Sequence, residues 1–379
     1  MYRVLVLGAG KIGRMIGALL TPTGDYQVGV GDHEEAALDL IKKRVPAAQP
    51  LKVDATNPEE LRRVLTGYDA VVSALSYAYN PLVAEIAAES GMSYFDLTED
   101  RETTRRVRAV AARARPGQVF VPQCGLAPGF VSIAAHDLAL GFDRLDRVYM
   151  RVGALPRFPS NFLKYNLTWS TDGLINEYCN PCEAIHGGEL REVLPLEGLE
   201  HFSLDGVRYE AFNTSGGLGS LCETLAGRVR ELNYKTIRYV GHRDYMTFLL
   251  HELRMDESRE LLKQILERAI PVTFQDVVVV FCTVSGWRNG QLVQVSDARK
   301  IYNSTLNGEN WSAIQITTAS GLCVLLDLHR QGAFPEGGFV RQEQVKLATF
   351  LENRFGEHYR ARAANLFSLA TADFRGELT

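Results

Sequence analysis

The chain has 379 residues, of which 46% are apolar and 23% charged, with a formal net charge of -4. That length suits two or three globular domains. The slight acidic excess points away from nucleic acid, and no apolar run reaches the roughly 20 residues a membrane helix needs. The chain opens on a strand, Tyr2–Leu7, without the basic, apolar and small-residue regions of a secretion signal, so the expectation is a cytoplasmic protein with no membrane partner.

The first 130 residues alternate strand and helix signals. An apolar run at Arg3–Leu7 leads through a glycine turn into a helix over Ile12–Leu20. Further strands are predicted at Tyr26–Gly31, Leu51–Val53, Ala70–Leu75, Tyr94–Leu97 and Val119–Pro122. Helices are predicted between them at Glu34–Lys43, Pro58–Leu65 and Pro81–Glu89, with Asn57 as an N-cap and Pro58 at the first helical position. Such alternation predicts an α/β fold, a Rossmann-type doubly wound parallel sheet with helices on both faces. After about Ala135 the pattern changes. Longer strands at Asp146–Val152, Gly206–Phe212, Thr236–Tyr239 and Val277–Val284, with fewer helices, predict a second, mixed α+β domain. The apolar helix Ala313–Arg330 then suggests a return to the first domain. The expected division is 1–135 plus about 311–379 for the dinucleotide domain, and about 136–310 for a substrate and dimerisation domain.

Gly8-Ala9-Gly10-Lys11-Ile12-Gly13 matches G-x-G-x-x-G between a strand and a helix, the context that gives the motif meaning. Gly8 allows the tight turn, Gly10 lets the backbone approach a pyrophosphate, and Gly13 allows helix and strand to pack closely. Lys11 and Ile12 open the helix whose N-terminus faces that pyrophosphate. Asp32 ends the second strand about 20 residues on, where a carboxylate accepts from ribose hydroxyls and repels a 2′-phosphate. His33, Glu34 and Glu35 follow it, with no Arg, so NAD is expected over NADP. Asp54 is placed to reach the adenine or to cap a helix. Ser73, Ala74 and Leu75 close the fourth strand where a cofactor would cross, and Ser73 too has a capping alternative.

Residues at the later strand ends should face a substrate. They are Tyr77 and Asn80, then Asp96, Thr98 and Asp100, then Gln123–Gly129. Asp96 has the best position for a general base, whereas Thr98 and Asp100 read equally as helix caps. In the second domain three polar clusters stand out: 164–170, 210–217 and 234–242. In the last, alternation places Lys235, Ile237 and Tyr239 on one face and Thr236, Arg238 and Val240 on the other. Gly216-Gly217 reads as a turn. Of six cysteines, only Cys179 and Cys182 form C-x-x-C, with no second pair for zinc, so no metal is expected.

At four stretches the chain resembles the saccharopine dehydrogenase-like family: V-L-V-L-G-A-G at Val4–Gly10, G-L-A-P-G at Gly125–Gly129, E-A-F-N-T-S-G-G at Glu210–Gly217, and Y-K-T-I-R-Y-V-G-H at Tyr234–His242. The similarity runs across nearly the whole chain. Glutamate-forming members that take a tricarboxylate carry Asp in G-L-D-P-G and an Arg near the E-A-F segment. Here Ala127 and Thr214-Ser215 stand instead, and loss of a bidentate Arg argues against a tricarboxylate. The resemblance is strongest to members that oxidise the terminal amine of lysine, although Asp96–Asp100 is more acidic than the glycine- and histidine-containing loop expected there.

The resemblance implies NAD-dependent oxidative deamination of an amino-acid substrate by a homodimer or higher homo-oligomer. Asp96 or His242 would then serve as base, Arg238 or Lys235 would hold the α-carboxylate, and Tyr77 would flank the nicotinamide. A glutamate-forming or related opine or polyamine reductase is one alternative. A non-catalytic dinucleotide sensor is another.

Overall fold

The computed structural model describes residues 1–360 except Thr168 and Pro335. Thr168 of the 164–170 cluster, and residues 361–379 of the expected C-terminal return, therefore lie outside the described residues.

Strands β1 (Tyr2–Leu7), β2 (Tyr26–Asp32), β3 (Gln49–Lys52), β4 (Ala70–Ser73), β5 (Ser93–Asp96) and β6 (Val119–Val121) alternate with helices α1 (Lys11–Leu20), α2 (Glu35–Arg44), α3 (Pro58–Leu65), α4 (Asn80–Ser90) and α5 (Arg101–Ala111). The strands pair in parallel in the order 6-5-4-1-2-3. Val4 through Leu7 are all buried, because helices cover both faces of a parallel sheet. Asn57 caps α3 as predicted, its Oδ1 accepting from the amides of Glu59 and Glu60 at 3.0 and 3.3 Å. Strand order reverses between β1 and β4, which opens a crevice at their carboxyl ends.

Helix α6 (Phe130–Ala139) leads into the second layer: β7 (Arg144–Pro156), α7 (Thr171–Cys179), β8 (Cys182–His186), β9 (Glu189–Val193), β10 (Glu200–Leu204), β11 (Val207–Asn213), α8 (Leu221–Thr224), β12 (Glu231–Tyr239), α9 (His242–Thr247), α10 (Arg259–Ala269), β13 (Asp276–Arg288) and β14 (Gln291–Tyr302). The sheet runs β10-β11-β12-β7-β13-β14, with β8 also on β12 and β9 on β8. Only β7 and β12 pair in parallel, so the sheet is mixed. The strands expected at 146–152, 236–239 and 277–284 are segments of longer ones. Helices α7 and α10 were not predicted. Each is short, and each buries an apolar stripe on the other, Leu174 and Tyr178 clustering with Leu262 and Leu266. Their stability comes from that tertiary partner rather than from local propensity.

After the small hairpin of β15 (Ser304–Leu306) and β16 (Glu309–Trp311), helix α11 (Ala313–Arg330) runs as expected. Ser312 and Gln315 form a capping box at its start. Asp276 of β13 also accepts from the amides of Ala313 and Ile314, at 2.5 and 3.1 Å. Strand β17 (Gly338–Phe339) then adds to the first sheet beside β6. One hydrophobic core passes from Val4 and Val6 of β1 through α6 and α11 to Val278 and Val280 of β13. The two sheets thus share a packed interior, and a packed interior resists relative movement.

Candidate active site

The glycine turn is shaped as its sequence requires. Gly8 has φ +101°, and a Cβ there would lie 2.7 Å from the carbonyl oxygen of Ala74. A Cβ on Gly13 would sit against the Gly8 carbonyl oxygen, whereas one on Gly10 would meet nothing within 4 Å. Gly8 and Gly13 therefore close the turn, and Gly10 leaves open the side from which a pyrophosphate approaches. No side chain caps α1, so the amides of Lys11, Ile12 and Gly13 remain available to an anion. These residues fit a dinucleotide.

Asp32 ends β2 with its side chain 14% exposed. One carboxylate oxygen accepts from Ala9 N at 2.7 Å and the other from Glu34 N at 3.0 Å. Each keeps a second lone pair for a ribose hydroxyl. Two other sequence candidates have local duties. Asp54 accepts from the amide and hydroxyl of Thr56 at 2.8 and 2.7 Å, a turn in the loop before α3, whose N-cap is Asn57, so the helix-cap alternative is corrected. Ser73 is buried and donates to Asn80 Oδ1 at 2.7 Å, which fixes the start of α4. Ala74 and Leu75 line the underside of Gly8. Tyr77 sits at the rim of the strand ends, 37% exposed.

Asp96 has no exposed surface. Its carboxylate accepts from Tyr94 Oη at 2.7 Å, Thr98 N at 2.9 Å and Gln123 N at 3.1 Å. Burial lifts its carboxyl to about 6, against the opposing pull of those three donors. Asp96 therefore bolts the ends of β5 and β6 together, and its expected role as base is corrected: nothing of the carboxylate faces a ligand. Asp100 caps α5 through the amide of Thr103 at 2.7 Å. The strand-end carboxylate left over is Glu99. Burial raises its carboxyl above the usual range, helped by Asp100 and Asp96.

From the second domain, Arg238 is buried on β12. Its Nε donates to Tyr178 Oη at 2.8 Å and one terminal nitrogen donates to the Ile237 carbonyl at 2.8 Å. The other lies 3.8 Å from Glu177 Oε2, and the guanidinium stands over the rings of Tyr165 and Tyr178. Tyr178 in turn meets His242 Nε2 at 3.0 Å, and His242 Nδ1 meets the Leu163 carbonyl at 2.7 Å. A carbonyl can only accept, so Nδ1 carries the proton and Nε2 accepts from Tyr178. Burial, with Arg238 nearby, pushes His242 down to about 3. It is a neutral spacer locked at both nitrogens, and the expectation of a base there is corrected.

Lys235 is corrected as well. It projects from the opposite face of β12, donates to the Gly198 carbonyl at 2.5 Å and pairs with Glu200 at 3.5 Å. Of the two cations, only Arg238 stands on the face that carries Glu177.

The two halves meet at Gly216 and Gly217. A Cβ on Gly216 would lie 2.9 Å from Glu99 Cβ, and the ring of Tyr234 fills the space beside Gly217. The pair is thus more than the turn read from sequence: it admits a side chain from each domain. Ser215 fastens the loop to α7, its amide donating to the Glu177 carbonyl and its hydroxyl to the Asn176 carbonyl, each at 3.1 Å. Thr214 lines the adjoining cleft with Gln123, Tyr234 and the ion pair Arg101–Glu183. Its hydroxyl is buried without a partner. Gln123 holds φ +64° there, a strained conformation for a non-glycine residue of the kind that gathers at functional sites.

Glu210 shows what part of the family-like motif does structurally. It accepts from Gly241 N at 2.7 Å and Arg243 N at 2.6 Å, tying β11 to the start of α9. Glu177 and Tyr178 were missed by sequence reasoning. The available signal was the polar pair within Thr171–Cys179 beside Leu174 and Ile175, which carried no meaning until α10 packed on that helix.

A larger hollow of about 890 Å³, lined by Tyr2, Asp25, Asp69, Arg115 and His329, lies under the amino ends of the parallel strands. Dinucleotides bind at the carboxyl ends, so it is not the cofactor site. Among the described residues, no cluster of His, Cys, Asp and Glu could hold a metal, and no helix is long and apolar enough to cross a membrane. Cys179 and Cys182 are free thiols.

Comparison with known proteins agrees with this geometry. The family model of the saccharopine dehydrogenase NADP binding domain matches residues 4–121, and that of the saccharopine dehydrogenase C-terminal domain matches residues 125–356. Mitochondrial alpha-aminoadipic semialdehyde synthase of Mus musculus is 21% identical over 255 residues, 61% of this chain and 27% of that protein. Saccharopine dehydrogenase (NADP(+), L-glutamate-forming) of Saccharomyces cerevisiae is 23% identical over 202 residues, 50% of this chain and 43% of that one. The alignments thus span less than half the length of these relatives. A solved structure of apo saccharopine dehydrogenase (L-Glu forming) from Saccharomyces cerevisiae covers 90% of this chain and 94% of its own, with a TM-score of 0.75 at 16% identity, a likeness of fold. The chain belongs to the saccharopine dehydrogenase family.

Proposed function

We propose that the protein oxidises the terminal amine of an amino acid with NAD, in the manner of a lysine 6-dehydrogenase. The observation that carries this reading is the meeting of Glu99, at the carboxyl end of β5, with Gly216 of the E-A-F-N-T-S-G-G segment. It brings the second domain's polar residues to the strand ends where a dinucleotide's nicotinamide belongs.

In balanced form, R–CH2–NH3⁺, NAD⁺ and water give R–CHO, NADH, NH4⁺ and a proton. The ammonium first loses a proton, since its nitrogen needs a free pair. The C–H bond then breaks, the nitrogen pair forms C=N, and water replaces ammonia. Bound NAD supplies the hydride acceptor. The chain's residues orient the substrate and take the proton. The α-carboxylate is assigned to Arg238, whose terminal nitrogens retain free donors, rather than to Lys235.

NAD is preferred over NADP in this reading because Asp32 presents a carboxylate where a 2′-phosphate would lie. Among the described residues at the end of β2, no Arg stands next to it. The substrate is taken as an amine rather than a tricarboxylate because Thr214-Ser215 replaces an arginine. The homo-oligomer and the cytoplasmic location are part of the same proposal.

The test is direct. Protein, NAD and L-lysine at alkaline pH should generate NADH absorbance. No signal with lysine, together with turnover of saccharopine and NADP, would favour a glutamate-forming reductase instead. NADH binding without turnover of any amino acid or polyamine would favour a sensor.

A further inference from the structure

We propose that the small cleft between Gln123 and Thr214 seats the water that hydrolyses the imine, with Glu183 taking and returning its proton and Thr214 positioning it. The inference rests on the amine-oxidising reading above and places the hydrolytic half of that reaction.

The cleft is walled from both domains. Arg101, the first residue of α5, and Gln123, two residues past β6, come from the first. Glu183 of β8, Thr214, the glycines between 216 and 219, and Tyr234 of β12 come from the second. The cleft therefore stands at the carboxyl ends of β5 and β6. In the sheet these strands follow β4, on the side of β1 away from β2 and Asp32. With the adenosine ribose at Asp32 and the pyrophosphate at Gly8–Gly13, the nicotinamide half of a dinucleotide, and a substrate against it, belong over these strand ends.

Size and chemistry select the occupant. The cleft's volume is about 10 Å³, which is room for one water and too little for an amino-acid side chain. Thr214 is 2% exposed, and its hydroxyl is buried without a partner. A buried hydroxyl left unpaired is costly. Gln123 Oε1 lies 3.1 Å from where a Cβ on Gly219 would stand, so the bare backbone at Gly219 leaves that amide oxygen open. Glu183 pairs with Arg101. An ionised carboxylate has about four acceptor sites, so that pair leaves room for a second donor.

These groups match a water's own hydrogen-bonding capacity. The water donates one hydrogen to Glu183 and the other to Gln123 Oε1, and it accepts from Thr214 Oγ1. Its remaining lone pair is free for the imine carbon. Other acids and bases nearby are closed: Asp96 is saturated by three donors, and His242 is committed at both nitrogens.

In the step itself, the water oxygen bonds to the carbon of R–CH=NH2⁺ and the C=N pair returns to nitrogen. An O–H bond of the water breaks, and its proton goes to Glu183. The product is R–CH(OH)–NH2. Glu183 then gives that proton to the nitrogen, the C–N bond breaks, and the hydroxyl proton leaves with ammonia. In sum, R–CH=NH2⁺ and water give R–CHO and NH4⁺, with Glu183 restored.

The test uses the full chain with NAD and L-lysine at alkaline pH. Stopped-flow absorbance reads the first NADH formed per site. Aliquots quenched with borodeuteride at successive times convert a surviving imine to lysine carrying deuterium at its terminal carbon, so its yield reads the imine's lifetime. Glu183→Gln should form the first NADH at the wild-type rate and lengthen that lifetime roughly 100- to 10,000-fold. Thr214→Val should lengthen it about tenfold, the scale of one hydrogen bond, and Thr214→Ser, which keeps the hydroxyl, should restore it. If Glu183→Gln misfolds, the two Thr214 variants decide the matter.

An imine lifetime that neither Glu183→Gln nor Thr214→Val changes, as when the substrate's own α-amine displaces ammonia, overturns the water site and leaves amine oxidation standing. So does a first NADH slowed as much as the later step, or a Thr214→Ser enzyme as slow as Thr214→Val. Wild-type protein that forms no NADH from lysine or any other terminal amine overturns the amine reading and this inference with it.

Discussion

The Tyr178 hydroxyl lies 3.0 Å from His242 Nε2 and donates to it, while it accepts from Arg238 Nε at 2.8 Å. One hydroxyl therefore orients the buried cation and commits the histidine to its neutral form. Tyr178→Phe would leave a buried guanidinium N–H and a buried imidazole nitrogen unpaired. Each unpaired group costs about 1–3 kcal/mol, so urea denaturation should show a loss of several kcal/mol, with NADH affinity little changed.

His242 predicts a pH effect on stability. Its folded pKa, about 3, lies below the ordinary 6.5, so the unfolded chain takes up the proton first as pH falls. Stability is fully present above about 6.5 and falls by about 1.4 kcal/mol per pH unit below it. Denaturation midpoints between pH 7 and 4 should drop faster in wild-type protein than in His242→Gln. Parallel curves would contradict the locked neutral imidazole.

Asp96 should behave with the opposite sign. Its folded pKa is raised from 3.8 to about 6, so the folded state holds the proton more tightly than the unfolded chain. Stability from this group is fully present below the unfolded value and is lost as pH rises through about 6. Asp96→Asn should therefore fall further behind wild-type protein near pH 4 than at pH 7, by about 2.4 kcal/mol for a shift of that size. The check is the difference between the two denaturation curves as a function of pH.

Gly216 and Gly227 separate backbone strain from contact. Both have positive φ, +90° and +68°, but a Cβ on Gly227 meets nothing within 4 Å whereas one on Gly216 meets Glu99 at 2.9 Å. Alanine at either site should cost about 1–2 kcal/mol for the left-handed backbone. Only Gly216→Ala should also depress turnover, because it pushes the second domain's loop off the strand end. Equal activities in the two variants would remove Gly216 from the cleft's architecture.

Asp32 tests the cofactor. Asp32→Ala should weaken NAD binding by roughly tenfold or more, the scale of a hydrogen bond to a charged group, while NADP binding holds or improves. Fluorescence titration with both reduced cofactors reads the ratio, and an unchanged ratio would remove the ribose role.

The sequence by itself carried the dinucleotide half. Gly8, Gly10, Gly13 and Asp32 are legible because a turn, a close approach and a strand end are local events set by neighbouring residues. Asn57, Asp100 and helix 313–330 were legible for the same reason, since caps and periodicity act within a few residues. The motifs at Gly125–Gly129, Glu210–Gly217 and Tyr234–His242 likewise pointed to the family. Tertiary structure alone decided which polar residues face the cleft. Asp96 and His242 looked free in the chain and proved closed, because their partners, Gln123 for one and Leu163 for the other, arrive from distant segments. Alternation on β12 separated Lys235 from Arg238 but could not say which face met the cofactor domain. That followed from the packing of α7 on α10, which carries Glu177 to Arg238, and from Gly216, where the absence of a side chain lets Glu99 of the first domain come alongside.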